Sequence, residues 1–181
     1  VLIDTSFLKT LSKSEMRSGM AEMLKHGLIK DAIYWKRLSH LSELKISDLE
    51  SLIHESVVIK NEVVKSDPNE LGERKQLNFG HTIGHAIESY CLESETKTTL
   101  LHGEAIAAGM VMEAYLSTKT CGLSDRELFQ IKKVFIELYG PVEFNENDKS
   151  SIIELLKYDK KNSHGDIKYS LLESIGKSNI D

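Results

Sequence analysis

The strongest constraint on this chain is a helical periodicity that recurs along most of its length. Apolar side chains three and four residues apart line one face of a helix. Met16, Met20, Met23, Leu24 and Leu28 have that spacing and predict a helix from about Lys13 to Ile29. Leu49, Leu52, Ile53, Val57 and Val64 form a second stripe, with Ser47 and Glu50 at capping-box spacing before it. Asp67-Pro68 should end that helix, because the residue before a proline avoids the helical region. A third helix is expected over roughly Asn78 to Leu92, and a fourth from about His102 to Thr120, stopping at Gly122. A fifth should start at Ser124, with Glu127 as capping partner, and end at Gly140-Pro141. A sixth covers about Asp148 to Tyr158. Asn162-Ser163-His164-Gly165 is a turn signal, and Ile167 to Ile175 reads as a short strand. Val1-Leu2-Ile3-Asp4 reads as a strand entered from upstream, so the chain is expected to begin inside a longer protein. The predicted class is mainly α: a multi-helix domain with short extended segments at both ends.

Composition narrows the function classes. At 181 residues, 40% hydrophobic and 28% charged, the chain can bury a sizeable core. A net charge of -5 lacks the basic footprint of a nucleic-acid surface, but leaves room for a small basic pocket. Cys91 and Cys121 are too few for a disulfide framework and suit a reducing compartment. No apolar run approaches the ~20 residues needed to span a bilayer. No signal-peptide pattern opens the sequence. The expectations are a cytoplasmic protein with neither nucleic acid nor membrane as partner.

The chemistry concentrates in Leu77-Asn78-Phe79-Gly80-His81-Thr82-Ile83-Gly84-His85-Ala86-Ile87-Glu88. His81 and His85 stand four residues apart, so a helix presents both on one face, with Asn78 nearly in line. Gly80 and Gly84 each cost a helix about 1 kcal/mol relative to Ala, which suggests close approach of a backbone or ligand. A polar packing seam is the plainer account. Zinc takes imidazole nitrogen and carboxylate oxygen, so further ligands must come from elsewhere. His102 opens the fourth predicted helix. Glu22 sits among Met20, Ala21, Met23 and Leu24, where a carboxylate is costly unless paired or metal-bound. An ion pair with Lys25 or His26 would also explain it. Spacing leaves His26, His85 and Glu104 as competing ligands. Lys25, Lys60, Arg74, Lys160 and Lys161 could clamp a carboxylate and a phosphate if the fold brings them together.

These residues also carry a family resemblance. Leu77 to Glu88 resembles the signature of dehydroquinate synthases. Phe7-Leu8-Lys9-Thr10-Leu11, then Ser18 to Ile29, then His102-Gly103-Glu104-Ala105 with Gly109-Met110 match further blocks in the family's order. Asp159-Lys160-Lys161-Asn162, Gly165 and Ile175-Gly176 also fit. Ser12 departs from the proline common after Thr-Leu in the family, which touches only the turn before the first helix.

The resemblance implies the C-terminal helical domain of a two-domain enzyme. Residues 1–12 would connect to an N-terminal NAD-binding domain, and residues 13–181 would form the zinc- and substrate-binding domain. No glycine-rich strand–helix turn for a pyrophosphate occurs in the chain. The implied metal ligands are Glu22, His81 and His102, for Zn2+ or another divalent ion such as Co2+. His85 and Glu70 would handle protons. Lys25, Lys60, Arg74, Asn78 and Lys161 would contact a phosphorylated sugar acid, and Phe7 and Thr10 would touch NAD. The implied reaction converts 3-deoxy-D-arabino-heptulosonate 7-phosphate to 3-dehydroquinate and phosphate, in aromatic amino-acid biosynthesis. The full-length enzyme would be a homodimer and a carbon–oxygen lyase, and the chain alone would be inactive. The rival expectations are another sugar-phosphate cyclase, a metal-dependent polyol dehydrogenase, and a non-catalytic metal-binding helical domain.

Overall fold

The computed structural model describes residues 3–40, 46–157 and 167–179. Among these residues it contains seven α-helices: α1 (Lys13–Lys30), α2 (Ala32–Leu38), α3 (Ile46–Ser66), α4 (His81–Glu93), α5 (His102–Thr120), α6 (Asp125–Tyr139) and α7 (Glu146–Lys157). A hairpin of β1 (Leu171–Ser174) and β2 (Lys177–Asn179) follows. The mainly α expectation therefore holds.

Local chemistry sets several helix boundaries. Ser12 Oγ accepts from the Glu15 N–H at 3.2 Å, so the residue that departs from the family's proline is the N-cap of α1. Ser124 and Glu127 cap α6 reciprocally, at 3.2 and 3.1 Å. Glu104 reaches back to the Leu101 N–H at 3.0 Å and closes the start of α5.

The middle of the fold is α1 and α5. Every residue from Leu24 to Ile29 is buried, so the C-terminal half of α1 is enclosed on all sides. On α5, burial runs from Gly103 through Ala105, Ile106, Gly109, Met110 and Glu113 to Ser117. One apolar cluster joins α1, α2, α3, α5 and α6 through Leu24, Leu28, Tyr34, Leu52, Met110 and Phe135. A second joins α4 to α7 through Ile83, Ile87, Ile152 and Leu156.

Glycine lets the central backbones touch. A Cβ on Gly109 would lie 2.1 Å from Gly80 O and 2.6 Å from Gly84 N, so α5 presses directly on the start of α4. Near the head of α5, the Gly103 N–H donates to Ser18 Oγ at 3.0 Å, and a Cβ there would lie 2.1 Å from Ser18 O of α1.

Four features differ from expectation. First, α4 begins at His81 rather than Asn78; Glu73–Asn78 is a 3-10 helix, and Gly80, at φ +80°, breaks the two apart. Second, α2 is unanticipated, because seven residues are too short for a periodicity signal; Asp31 caps it by accepting from the Ile33 and Tyr34 N–H groups at 2.8 and 2.9 Å. Third, the single C-terminal strand is a hairpin, pairing Leu171 with Asn179 and Leu172 with Ser178. It clasps the helices: Gly176 N–H donates to Leu28 O at 2.7 Å, and Leu172 N–H to Ser117 Oγ at 2.9 Å. Fourth, Ile3 and Asp4 are not in a strand, and Thr5–Thr10 forms a 3-10 helix capped by Asp4. Val1, Leu2, Tyr158, the predicted turn at 162–165, and Lys160 and Lys161 lie outside the described residues.

Gly109→Ala is expected to lower unfolding free energy by about 1–3 kcal/mol or more, because backbone cannot yield to the added carbon. Gly19→Ala on α1, where nothing lies within 4 Å of an added Cβ, should instead gain about 0.5–1 kcal/mol. Denaturant midpoints of the two variants check both signs.

Candidate metal centre

The contact of α4 with α5 brings three imidazoles together. His81 is the first residue of α4, His85 follows one turn later, and His102 opens α5. Ring centroids are 5.3 Å apart for His81–His85, 5.7 Å for His81–His102 and 5.8 Å for His85–His102. One ligating nitrogen from each ring lies within 4.8 Å of the others. Glu22 approaches from α1, with Oε1 at 3.6 Å from His81 Nε2.

Hydrogen bonds set the orientation of two rings. His81 Nδ1 faces the Phe79 carbonyl at 3.2 Å and must donate to it, which leaves Nε2 a lone pair. His102 Nδ1 stands 3.0 Å from Glu88 Oε2, and a donated proton there likewise frees its Nε2. Histidine ligands to metals commonly have their second nitrogen engaged in this way.

The electrostatics suit a cation. Lys25, only 3% exposed, holds Glu22 Oε2 at 2.8 Å. Burial alone would raise the Glu22 pKa, but the Lys25 ammonium outweighs it and the net shift is downward. Burial, then Lys25, pushes His81 down to about 4. At neutral pH the site therefore combines an anionic carboxylate with a neutral imidazole. Glu22 Oε1 is buried with no hydrogen-bond partner. An orphaned anionic oxygen beside imidazole nitrogens is costly by itself and fits the donor set of a divalent ion such as zinc.

Of the competing ligands, His85 lies in the cluster and Glu104 is engaged elsewhere, while His26 is engaged through Nδ1 and its buried Nε2 has no hydrogen-bond partner. His26 Nδ1 is 2.7 Å from Ser56 Oγ. Glu104 caps α5 and faces Arg17 at 3.5 Å. The mutual cluster among the described residues is His81, His85 and His102, and Glu22 joins it through His81. The plainer account of Glu22 is thus realised, since it does pair with Lys25.

The remaining predicted site residues lie on other elements and make contacts of their own. Asn78 lies on the 3-10 helix before α4, not in line with His85 on one helix, and its Nδ2 donates to Glu70 Oε1 at 2.7 Å. Glu70 is the only non-glycine residue described with positive φ, at +57°. Held strain of this kind concentrates at functional sites. Arg74 Nη1 donates to Pro68 O at 2.8 Å, and Asp67 ties the same loop through the Leu71, Gly72 and Arg74 N–H groups. Lys60, on α3, lines a cavity of about 320 Å³ together with Met16, Met20, Glu22, His26 and Ser56. Phe7 is exposed, and Thr10 Oγ1 donates to its carbonyl at 3.1 Å. Lys161 lies outside the described residues.

Residues 19–162 match a protein-family model described as 3-dehydroquinate synthase C-terminal. The chain belongs to this family. The 3-dehydroquinate synthase of Parabacteroides distasonis is 43% identical over 100% of this chain and 51% of its own length. That of Clostridium beijerinckii is 39% identical over 100% of this chain and 51% of its own length. The chain thus spans about half the length of these curated relatives. Among solved structures, ValA, a 2-epi-5-epi-valiolone synthase from Streptomyces hygroscopicus subsp. jinggangensis with NAD+ and Zn2+ bound, is similar at TM-score 0.78 and 26% identity. That match covers 99% of this chain and 50% of that one. A 2-deoxy-scyllo-inosose synthase complexed with carbaglucose-6-phosphate, NAD+ and Co2+ shares the fold at TM-score 0.75 and 24% identity, covering 98% of this chain and 50% of that one. No described helix is long and apolar enough to cross a membrane.

Family membership leaves two neighbours of the site unexplained by motif reasoning. Glu88 is the partner of His102, and its place three residues after His85 was the available signal. Glu113, fully buried on α5, accepts from the Gly80 N–H at 2.7 Å and the Ile83 N–H at 3.2 Å. Its signal was the one already applied to Glu22: a carboxylate within an apolar stretch, here Met110-Val111-Met112 and Ala114.

His26 provides a pH test. Burial, then the Lys25 charge, lowers its pKa from 6.5 to about 4. Between those values the unfolded chain binds the proton and the folded chain does not, so stability falls as pH falls. The metal-free chain should lose on the order of 2–3 kcal/mol from this group on acidification through that window. His26→Gln should remove this share of the slope and leave that of His81, whose pKa is lowered over the same window, as measured by denaturant midpoints across the pH range.

Proposed function

We propose that this chain is the metal- and substrate-holding half of a 3-dehydroquinate synthase. The observation that carries this reading is the convergence of His81, His85 and His102 with a half-buried, anionic Glu22 whose Oε1 is enclosed, in a chain of this family. Glu22, His81 and His102 would hold zinc or another divalent ion such as Co2+. His85, in the same cluster, would serve as an acid/base group. The implied substrate is 3-deoxy-D-arabino-heptulosonate 7-phosphate, and the products are 3-dehydroquinate and phosphate.

When bound, the metal supplies Lewis-acid polarisation of a substrate oxygen and NAD supplies a reversible hydride acceptor. The chain's own residues bind, orient and move protons. Lys25 is held in place by Glu22, and Lys60 lines the neighbouring cavity. With Arg74, Asn78 and Lys161 they would clamp the carboxylate and phosphate of the substrate. The strained Glu70, hydrogen-bonded by Asn78, would accept a second proton. Phe7 and Thr10 would meet NAD from residues 1–12, the segment connecting to a nucleotide-binding domain. We place the full-length enzyme in the cytoplasm as a homodimer. The isolated chain is proposed to be inactive, since most NAD contacts would come from that other domain.

A second reading has one observation in its favour: the structural likeness to ValA supports a sugar-phosphate cyclase with a different substrate. Phosphate release by the full-length enzyme, with zinc and NAD, on the heptulosonate phosphate and on alternative sugar phosphates separates the two. The first reading expects turnover on the former alone, with no net NADH. The isolated chain should release no phosphate under the same conditions.

Glu22→Gln, His81→Ala and His102→Ala should each lose stoichiometric zinc in the full-length enzyme. His85→Ala should retain zinc while turnover falls roughly 10²–10⁴-fold, the range for a lost acid/base group. Metal analysis beside the activity assay decides between the ligand sets, since loss of zinc from His85→Ala would favour the all-histidine triad.

A further inference from the structure

We infer that Glu113 is a positioning residue for the metal centre, acting on His81 through a single peptide group. This inference rests on the metal-centre reading above. Glu113 lies on α5 with no solvent exposure, 33 residues from Gly80 in sequence. One carboxylate oxygen accepts the Gly80 N–H at 2.7 Å, and the other accepts the Ile83 N–H at 3.2 Å. The peptide that presents the Gly80 N–H also carries the Phe79 carbonyl, which accepts from His81 Nδ1 at 3.2 Å. Glu113 therefore holds one end of a peptide plane whose other end orients the His81 ring. The same contact stabilises Gly80 at φ +80°, the break that makes His81 the first residue of α4.

The geometry explains why a carboxylate is needed. The first turn of a helix has N–H groups without helical partners. Glu113 supplies an acceptor oxygen to each of two of them, at the positive end of α4 where a carboxylate is favoured. Glutamine would keep one acceptor and set an amide NH2 against the other N–H. The loop peptide would then be free to rotate, and the His81 lone pair with it.

Asp31 is a matched control. It also offers a carboxylate to two N–H groups at a helix start, those of Ile33 and Tyr34, but α2 carries no candidate ligand. In the full-length enzyme, Glu113→Gln should weaken zinc binding about 10–100-fold, the effect of removing an outer-sphere partner. It should also shift the visible absorption bands of the Co2+-substituted enzyme. Asp31→Asn should lower Tm and leave zinc affinity at the wild-type value. Wild-type zinc affinity in Glu113→Gln, or equal weakening in Asp31→Asn, would overturn the inference.

Linkage gives a test that needs no variant. If the Glu113 cap tightens metal binding, metal binding must tighten the cap. Removing zinc from the wild-type full-length enzyme should speed hydrogen exchange at the Gly80 and Ile83 amides relative to those of Ile33 and Tyr34. Equal changes at both pairs would overturn the inference even if Glu113→Gln does not fold. Wild-type enzyme that takes up no stoichiometric zinc would instead remove the metal-centre reading, and this inference with it.

Discussion

Backbone-to-backbone contact between α4 and α5 is the constraint on which the rest of the site depends. Helices bearing ordinary side chains pack with axes 8–10 Å apart. Here an added methyl on Gly109 would meet the Gly80 carbonyl at 2.1 Å. That approach sets His102, at the head of α5, against His81 and His85 in the first turns of α4. The Gly103–Ser18 contact brings α1 to the same place, and with it Glu22. Three helices thus deliver four side chains to one point, because their backbones rather than their side chains make the contacts.

Charge then has to be arranged at a site that is open at His102 and enclosed at Lys25. Lys25 is nearly fully buried, and a buried ammonium is tolerable only when paired. Glu22 provides the partner with one oxygen and leaves the other orphaned beside His81. Burial and the Lys25 charge keep His81 unprotonated, and the Phe79 carbonyl decides which of its nitrogens is available. The same Lys25 also depresses His26, which the fold has turned away to Ser56. His26 and His81 thus share burial and the same neighbouring cation but have different hydrogen-bond partners.

Much of the scaffold was legible in local sequence. Ser124 and Glu127 cap a helix within one turn of themselves, so their signal needs no tertiary partner. The helix from His102 to Thr120 has the predicted bounds. Some failures were local: α2 is too short to show a period, and Asp4, expected in a strand, caps a 3-10 helix. The others occurred where a distant group intervened. Asn78 looks helical with His85 by spacing, but Glu113 takes the Gly80 N–H and ends the 3-10 helix before α4 begins. The second hairpin strand is short, and its place depends on Gly176 reaching Leu28. In the site, spacing picked out the His81–His85 pair. Glu22 and His102 stood out from the alternatives only through family resemblance, and the fold then set Glu104 aside and left His26 outside the imidazole cluster.

The sequence by itself determined the helices, most of their caps and the imidazole and carboxylate chemistry available to a metal. Those properties are decided by residues within three or four positions of one another, where hydrogen bonds and side-chain stripes repeat with the helix. Only the tertiary structure decided which of these groups meet, which nitrogen of His81 is free, and that Glu113 holds the peptide beside it. Those outcomes depend on contacts between residues tens of positions apart. They are set by how closely helix backbones can approach, and no local pattern encodes that distance.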